Sequence, residues 1–124
     1  MDFAQFDLQE SIFSKYLLEL TQKIEQSVAK EFKIVGLINS VGVAHFSKYE
    51  ALTVSEMAKI HRTNINSLHF MLRASDRLAE TNLIGEKPFF INISSAVAQQ
   101  PLKYSTVYAA TKAYLSNLIE GVSQ

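Results

Sequence analysis

Two short and almost wholly apolar runs, "FKIVGLIN" at 32–39 and "FFINIS" at 89–94, are held apart by a long amphipathic stretch. That alternation constrains the fold more than any single residue. An apolar run without polar interruption suits a strand covered on both faces, as in a parallel sheet. Parallel strands cannot be joined by a tight turn, so the intervening chain must supply a helical crossover. It has the pattern to do so. "LTVSEMAKIHRTNINSLHFMLRASDRLAE" reads as one long helix, opened by Thr53 and Glu56 as a capping box. Ahead of the first run, Ile12, Tyr16, Leu20, Ile24 and Val28 recur every four residues, with Lys15, Glu19, Lys23 and Glu25 on the other face. This predicts an amphipathic helix between Leu8 and Lys30. "GEKP" is read as a break before the second strand, and "QQPLKYS" as a loop. Ser105 or Thr106 caps a last helix running to about Gly121. Helix, strand, helix, strand, helix is the order of an α/β fold, with "MDFA" offering a further strand end.

Composition narrows the function classes. At 124 residues the chain suffices for one domain. Twelve basic and twelve acidic side chains leave no global field for nucleic acid or an anionic membrane. Without cysteine there are no disulfides or thiolate metal sites. No apolar run approaches the ~20 residues of a membrane span, and "MDFAQFDLQE" lacks the basic leader and apolar stretch of a signal peptide. His45, His61 and His69 do not have the spacing of a helical metal pair, so no metal is expected. Lys59, Arg62, Arg73 and Arg77 are interspersed with Glu56, Asp76 and Glu80, which reads as a solvated face. Phe89, Phe90 and Tyr114 read as core.

The chemistry-bearing feature is "NISSAVAQQPLKYSTVYAATKAYL" at 92–115. Tyr108 and Lys112 stand four apart, one helical turn along the same face. A free phenol ionises near pH ~10, and a neighbouring ammonium favours its phenolate form. Such a pair can pass a proton to a developing alkoxide, or take one in the reverse direction. Ser95, at the exit of the second strand, can donate a hydrogen bond to a substrate carbonyl oxygen. Strand exits are where ligands bind in parallel sheets. The tyrosine–lysine spacing alone arises easily by chance; the serine at a strand end upstream makes the combination specific.

These motifs resemble the short-chain dehydrogenase/reductase family, whose signature is a strand ending in Asn-x-Ser-Ser, a loop, and Tyr-x-x-x-Lys on the next helix. The resemblance implies catalytic Ser95, Tyr108 and Lys112, with a fourth catalytic asparagine in "TNINS" that supports a proton relay. Asn66 fits the family spacing better than Asn64. "LINSVG" is similar to the family turn Asn-Asn-Ala-Gly, keeping Asn39 and Gly42 as a cofactor-contacting turn but departing from it at Ser40 and Val41. "MDFA" resembles the stretch that would place Asp2 beside an adenine ring. The implied cofactor contacts are thus Asp2, Asn39, Tyr108 and Lys112. "DFAQFD", "LINSVGVAH" and "INISS" look most like the branch of hydroxysteroid dehydrogenases and very-long-chain 3-oxoacyl-CoA reductases. The family implies NADP or NAD as cofactor and a small-molecule ketone or secondary alcohol as substrate. The branch favours NADP and an endoplasmic reticulum membrane location for a full-length form. The default for this chain is cytoplasmic.

The same resemblance implies an incomplete fold. The family opens with a Gly-rich turn that cradles the cofactor pyrophosphate. The four glycines here, Gly36, Gly42, Gly85 and Gly121, lie too far apart to build it. In register, residues 1–124 run from the third strand to the fifth helix of a Rossmann-like, doubly wound parallel sheet with helices on both faces. The first two and last two strands are then missing. Strands left with bare edges and faces favour association, so a homo-oligomer is expected. The other outcome, from a different functional class, is a non-catalytic remnant serving as an interaction module.

Overall fold

The computed structural model describes residues 10–27, 33–81, 84–100 and 102–123. In chain order its elements are helix α1 (Glu10–Ser27), strand β1 (Ile34–Asn39), helix α2 (Val54–His61), a π-helical turn (Arg62–Asn66), helix α3 (Ser67–Ala79), strand β2 (Ile84–Asn92) and helix α4 (Thr106–Val122). Short 3-10 turns lie at Tyr49–Ala51 and Ala96–Ala98. The "MDFA" stretch, with Asp2, lies outside the described residues.

β1 and β2 pair in parallel, with Leu37 opposite Phe90 and Asn39 opposite Asn92, so both strands end at the same edge. The "GEKP" break is corrected: β2 runs through it. A step of two residues in β1, from Ile34 to Gly36, is matched by a step of five in β2, from Ile84 to Phe89. The surplus residues bulge out of the ladder, which lets Pro88 sit in a strand without having to donate a hydrogen bond.

The long helix predicted from Thr53 onward forms, with the Thr53–Glu56 capping box at its start. Its middle departs from the 3.6-residue period. Residues 62–66 wind as a π turn, which resets the phase of every side chain beyond it. Past that turn Phe70, Ala74 and Leu78 recur every four residues and are buried. On α4 the buried stripe is Val107, Thr111 and Leu115. Val107 meets Leu52 and Ile60 in the core, with Val43 and Met57 packed against them. Burial of such side chains is worth ~1.5–3 kcal/mol each, which is what fixes α2 against α4.

The sheet has one covered face and one open one. α3 packs against both strands. On the other face Ile38 is 58% exposed and Phe89 47% exposed, with Ile91 also open. The expectation that Phe89 and Tyr114 are core is therefore overturned, since both are exposed. Alternation along β2 turns Phe89 away from α3. Its ring covers Gly36, where an added Cβ would lie 2.5 Å from the ring carbons.

Candidate functional site

The site forms where the two strands end. Asn39, the last residue of β1, is 2% exposed. Its Nδ2 donates to Asn92 Oδ1 at 2.8 Å, and its Oδ1 accepts from the Val41 amide at 3.4 Å. The Ile93 amide donates to the Asn39 carbonyl at 2.8 Å. The two strand exits are thus locked to each other by backbone and carboxamide together.

α4 docks on that edge through Lys112. This lysine is 4% exposed, and its Nζ donates to the Ile93 carbonyl at 3.2 Å. The same Nζ lies 5.7 Å from the centre of the Tyr108 ring, a cation–π distance that keeps the two side chains on one face of the helix. Burial pushes the Lys112 ammonium below its ordinary value of 10.5. The backbone of the β1 turn passes close by: a Cβ on Gly42 would sit 3.2 Å from Lys112 Nζ. Glycine leaves room for this approach; its backbone dihedral is not in the left-handed region, so close contact and not turn geometry is what favours it.

Ser94 and Ser95 follow Ile93 directly. Ser94 Oγ lies 2.8 Å from Ser116 Oγ and 3.4 Å from the Lys112 carbonyl, which ties the strand exit to α4 again. Ser95 is half-buried and opens the Ala96–Ala98 turn, where its Oγ accepts from the Val97 amide at 3.4 Å. That contact engages a lone pair and leaves the hydroxyl proton to donate to a ligand.

The asparagine joined to this edge is Asn64, which is fully buried. Its Oδ1 accepts from the Val43 amide at 2.8 Å. Its Nδ2 donates to the Val43 carbonyl at 3.0 Å and to Thr111 Oγ1 at 2.9 Å. Asn66, favoured on spacing, is half-buried at the last position of the same π turn. A π turn rotates side chains out of the ordinary helical phase, so counting residues in the sequence does not say which asparagine faces inward.

The entry to α4 differs from expectation in one detail. Ser105 stands at the N-cap position, but its Oγ donates to the Leu102 carbonyl at 3.0 Å instead of capping the helix. The preceding Tyr104 has φ 71°, in the left-handed region. Such a conformation costs ~1–3 kcal/mol in a residue with a side chain. Its carbonyl accepts from the Ser47 amide at 2.9 Å, which fixes the loop before α4 to the loop after β1. Sequence reading missed Tyr104 and Thr111, and it ranked Asn64 behind Asn66. Only the placement of a polar side chain within the apolar stripe of α4 hinted at Thr111.

Two of the three histidines, His45 and His69, serve inter-element contacts. His45 Nδ1 lies 3.5 Å from Glu56 Oε1, and His69 Nε2 lies 2.9 Å from the Tyr114 hydroxyl, between α3 and α4. No helix among the described residues is long and apolar enough to cross a membrane.

Replacing Lys112 tests the electrostatics of the site. Lys112→Met removes a desolvated ammonium and keeps an apolar stem, so the thermal midpoint at neutral pH is expected to rise. Because the folded-state pKa is lowered, the unfolded chain binds more protons between that value and 10.5. Stability of the wild type should then climb as pH rises through this window, narrowing the gap to the variant. Melting curves of both chains from neutral pH to about pH 10 check this, the window being that of the lysine. A midpoint that falls in Lys112→Met at neutral pH would contradict it.

Residues 18–123 match the family model described as Enoyl-(Acyl carrier protein) reductase. No curated protein matches the sequence. Among solved structures, a short-chain dehydrogenase/reductase from Serratia marcescens is 23% identical with a TM-score of 0.68, over 86% of this chain and 47% of its own. A dehydrogenase/reductase from Sinorhizobium meliloti is 25% identical with a TM-score of 0.68, over 86% of this chain and 40% of its own. A 4-hydroxyisoleucine dehydrogenase complexed with NADH and succinate is 17% identical with a TM-score of 0.73, over 99% of this chain and 52% of its own. The chain thus spans about half the length of the structures it matches. The family-model match takes in α4, β2 and most of the chain before them, and on that ground the chain belongs to the short-chain dehydrogenase/reductase family.

Proposed function

We propose that this chain carries the proton-handling part of an NAD(P)-dependent oxidoreductase that reduces a ketone or oxidises a secondary alcohol. The observation that carries the reading is the convergence of the Lys112 ammonium, the Tyr108 ring and the Ile93–Ser95 strand exit at one edge. The nicotinamide, when bound, supplies or accepts the hydride. Tyr108 gives its hydroxyl proton to the carbonyl oxygen in reduction and removes it in oxidation. Ser95 donates a hydrogen bond to the same oxygen as charge develops there.

Lys112 fits a nicotinamide ribose. An ammonium has three N–H donors, and the Ile93 carbonyl is its one hydrogen-bond acceptor among the described residues. The remaining donors suit vicinal hydroxyls. Asn39 keeps the strand edge in place beside them. The relay role that spacing gave to Asn66 passes to Asn64, whose carboxamide is buried against the β1 turn and α4. Asp2 remains an adenine contact by resemblance alone. The steroid or 3-oxoacyl-CoA branch, its preference for NADP and its endoplasmic reticulum location rest on the same sequence resemblance.

The pyrophosphate end of the cofactor fits poorly, since the four glycines of the chain make no phosphate-binding turn. The 124-residue chain is therefore expected to bind NADPH too weakly to detect at micromolar concentration. A fluorescence titration measures this, and micromolar binding would overturn the expectation.

A second reading draws on the open sheet face at Ile38, Phe89 and Ile91. It makes the chain a non-catalytic module that self-associates through that face. Size-exclusion chromatography with and without NADPH, on a form of the protein that includes a phosphate-binding turn, separates the two. A discrete oligomer indifferent to NADPH favours the module, whereas assembly or stabilisation that depends on NADPH favours the oxidoreductase.

A further inference from the structure

Thr111 occupies the middle of the buried stripe of α4, between Val107 and Leu115, where an apolar side chain would pack as well. It is 1% exposed, yet its hydroxyl is fully used. Oγ1 donates to the Tyr108 carbonyl at 2.7 Å and accepts from Asn64 Nδ2 at 2.9 Å. A hydroxyl has a single proton. Once that proton goes to the Tyr108 carbonyl, only lone pairs face Asn64, and only the NH₂ end of the carboxamide can meet them. This sets which way Asn64 points. Its Oδ1 is then left to accept from the Val43 amide, and its second N–H reaches the Val43 carbonyl. The turn so held includes Gly42, where an added Cβ would lie 3.2 Å from Lys112 Nζ.

We propose that Thr111 is a positioning residue: its hydroxyl orients the Asn64 carboxamide and so holds the β1 turn in register with the helical turn that carries Tyr108 and Lys112. The role in catalysis rests on the oxidoreductase reading, but the clamp itself does not. A hydroxyl clamp and a packing role predict opposite outcomes for two substitutions. Thr111→Val keeps the shape and deletes the hydroxyl; Thr111→Ser keeps the hydroxyl and deletes a methyl group.

The experiment is hydrogen exchange followed by NMR on the pure 124-residue chain without cofactor. The readouts are the Val43 amide and the Asn64 carboxamide, with the Leu115 amide as an internal reference for α4. In Thr111→Val both readouts are expected to exchange about tenfold faster relative to Leu115, matching the loss of about one buried hydrogen bond. Thr111→Ser is expected to stay within about twofold of wild type, because its hydroxyl preserves the bonds. Thr111→Val resembling wild type while Thr111→Ser accelerates would overturn the clamp in favour of packing. Should Thr111→Val fail to fold, the serine variant decides alone: near-wild-type exchange supports the clamp, and accelerated exchange overturns it. Because no turnover is measured, failure of the oxidoreductase reading would leave this result intact.

Discussion

Tyr108→Phe, made in a form of the protein that includes a phosphate-binding turn, is expected to reduce carbonyl turnover by ~10²–10⁴-fold, the usual worth of a positioned general acid. The phenyl ring still fits beside the Lys112 Nζ, 5.7 Å from the ring centre. Only the hydroxyl is lost, so the half-buried position keeps its packing and α4 its buried stripe. Affinity for the dinucleotide should change little, since the ammonium and its bond to Ile93 are untouched. Steady-state rates with a ketone and NADPH, together with a fluorescence titration of NADPH, separate the two effects. Turnover within a few-fold of wild type would remove Tyr108 from the role assigned to it.

Asn64→Leu should be the most damaging single change to stability among the residues of the site. The substitution is close in volume, so it isolates polarity from cavity formation. It strips hydrogen bonds from the Val43 amide, the Val43 carbonyl and the Thr111 hydroxyl at once. Each buried group left without a partner costs ~1–3 kcal/mol, and partial hydration at the half-buried Val43 lowers the sum to about 3 kcal/mol. Urea denaturation followed by circular dichroism reads this directly. Asn66→Leu, at a half-buried position of the same turn, serves as the comparison and is expected to cost less. Equal losses for the two variants would show that the π turn, and not the Asn64 bond network, is what the substitutions disturb.

The elements legible in the sequence were those with a strong local signal. Thr53 and Glu56 announced the start of α2, because both partners of a capping box lie within one helical turn. The apolar runs announced β1 and β2, and the four-residue recurrence announced α1. The misreadings share a cause in contacts between segments far apart in the chain. "GEKP" carries every mark of a break, yet pairing with β1 draws it into the strand as a bulge. Phe89 is as apolar as Phe90, and only the side on which α3 lies decides which of them is covered.

The candidate site divides in the same way. The placement of Tyr108 and Lys112 on one helical face, and of Ser95 at a strand exit, was legible because one helical turn and one strand exit fix these positions locally. That of Asn64 was not, because a π turn has no reliable signature in composition and its partners lie at Val43 and Thr111, 21 and 47 positions away. By itself the sequence determined the order of elements, the covalent spacing of the reactive groups and the absence of a glycine cradle. Which asparagine faces inward, which sheet face is open and how closely the β1 turn approaches the lysine were decided only by tertiary packing. The reason is physical: a buried polar group takes whichever partner the folded chain brings within about 3 Å, and that distance is not written in neighbouring residues.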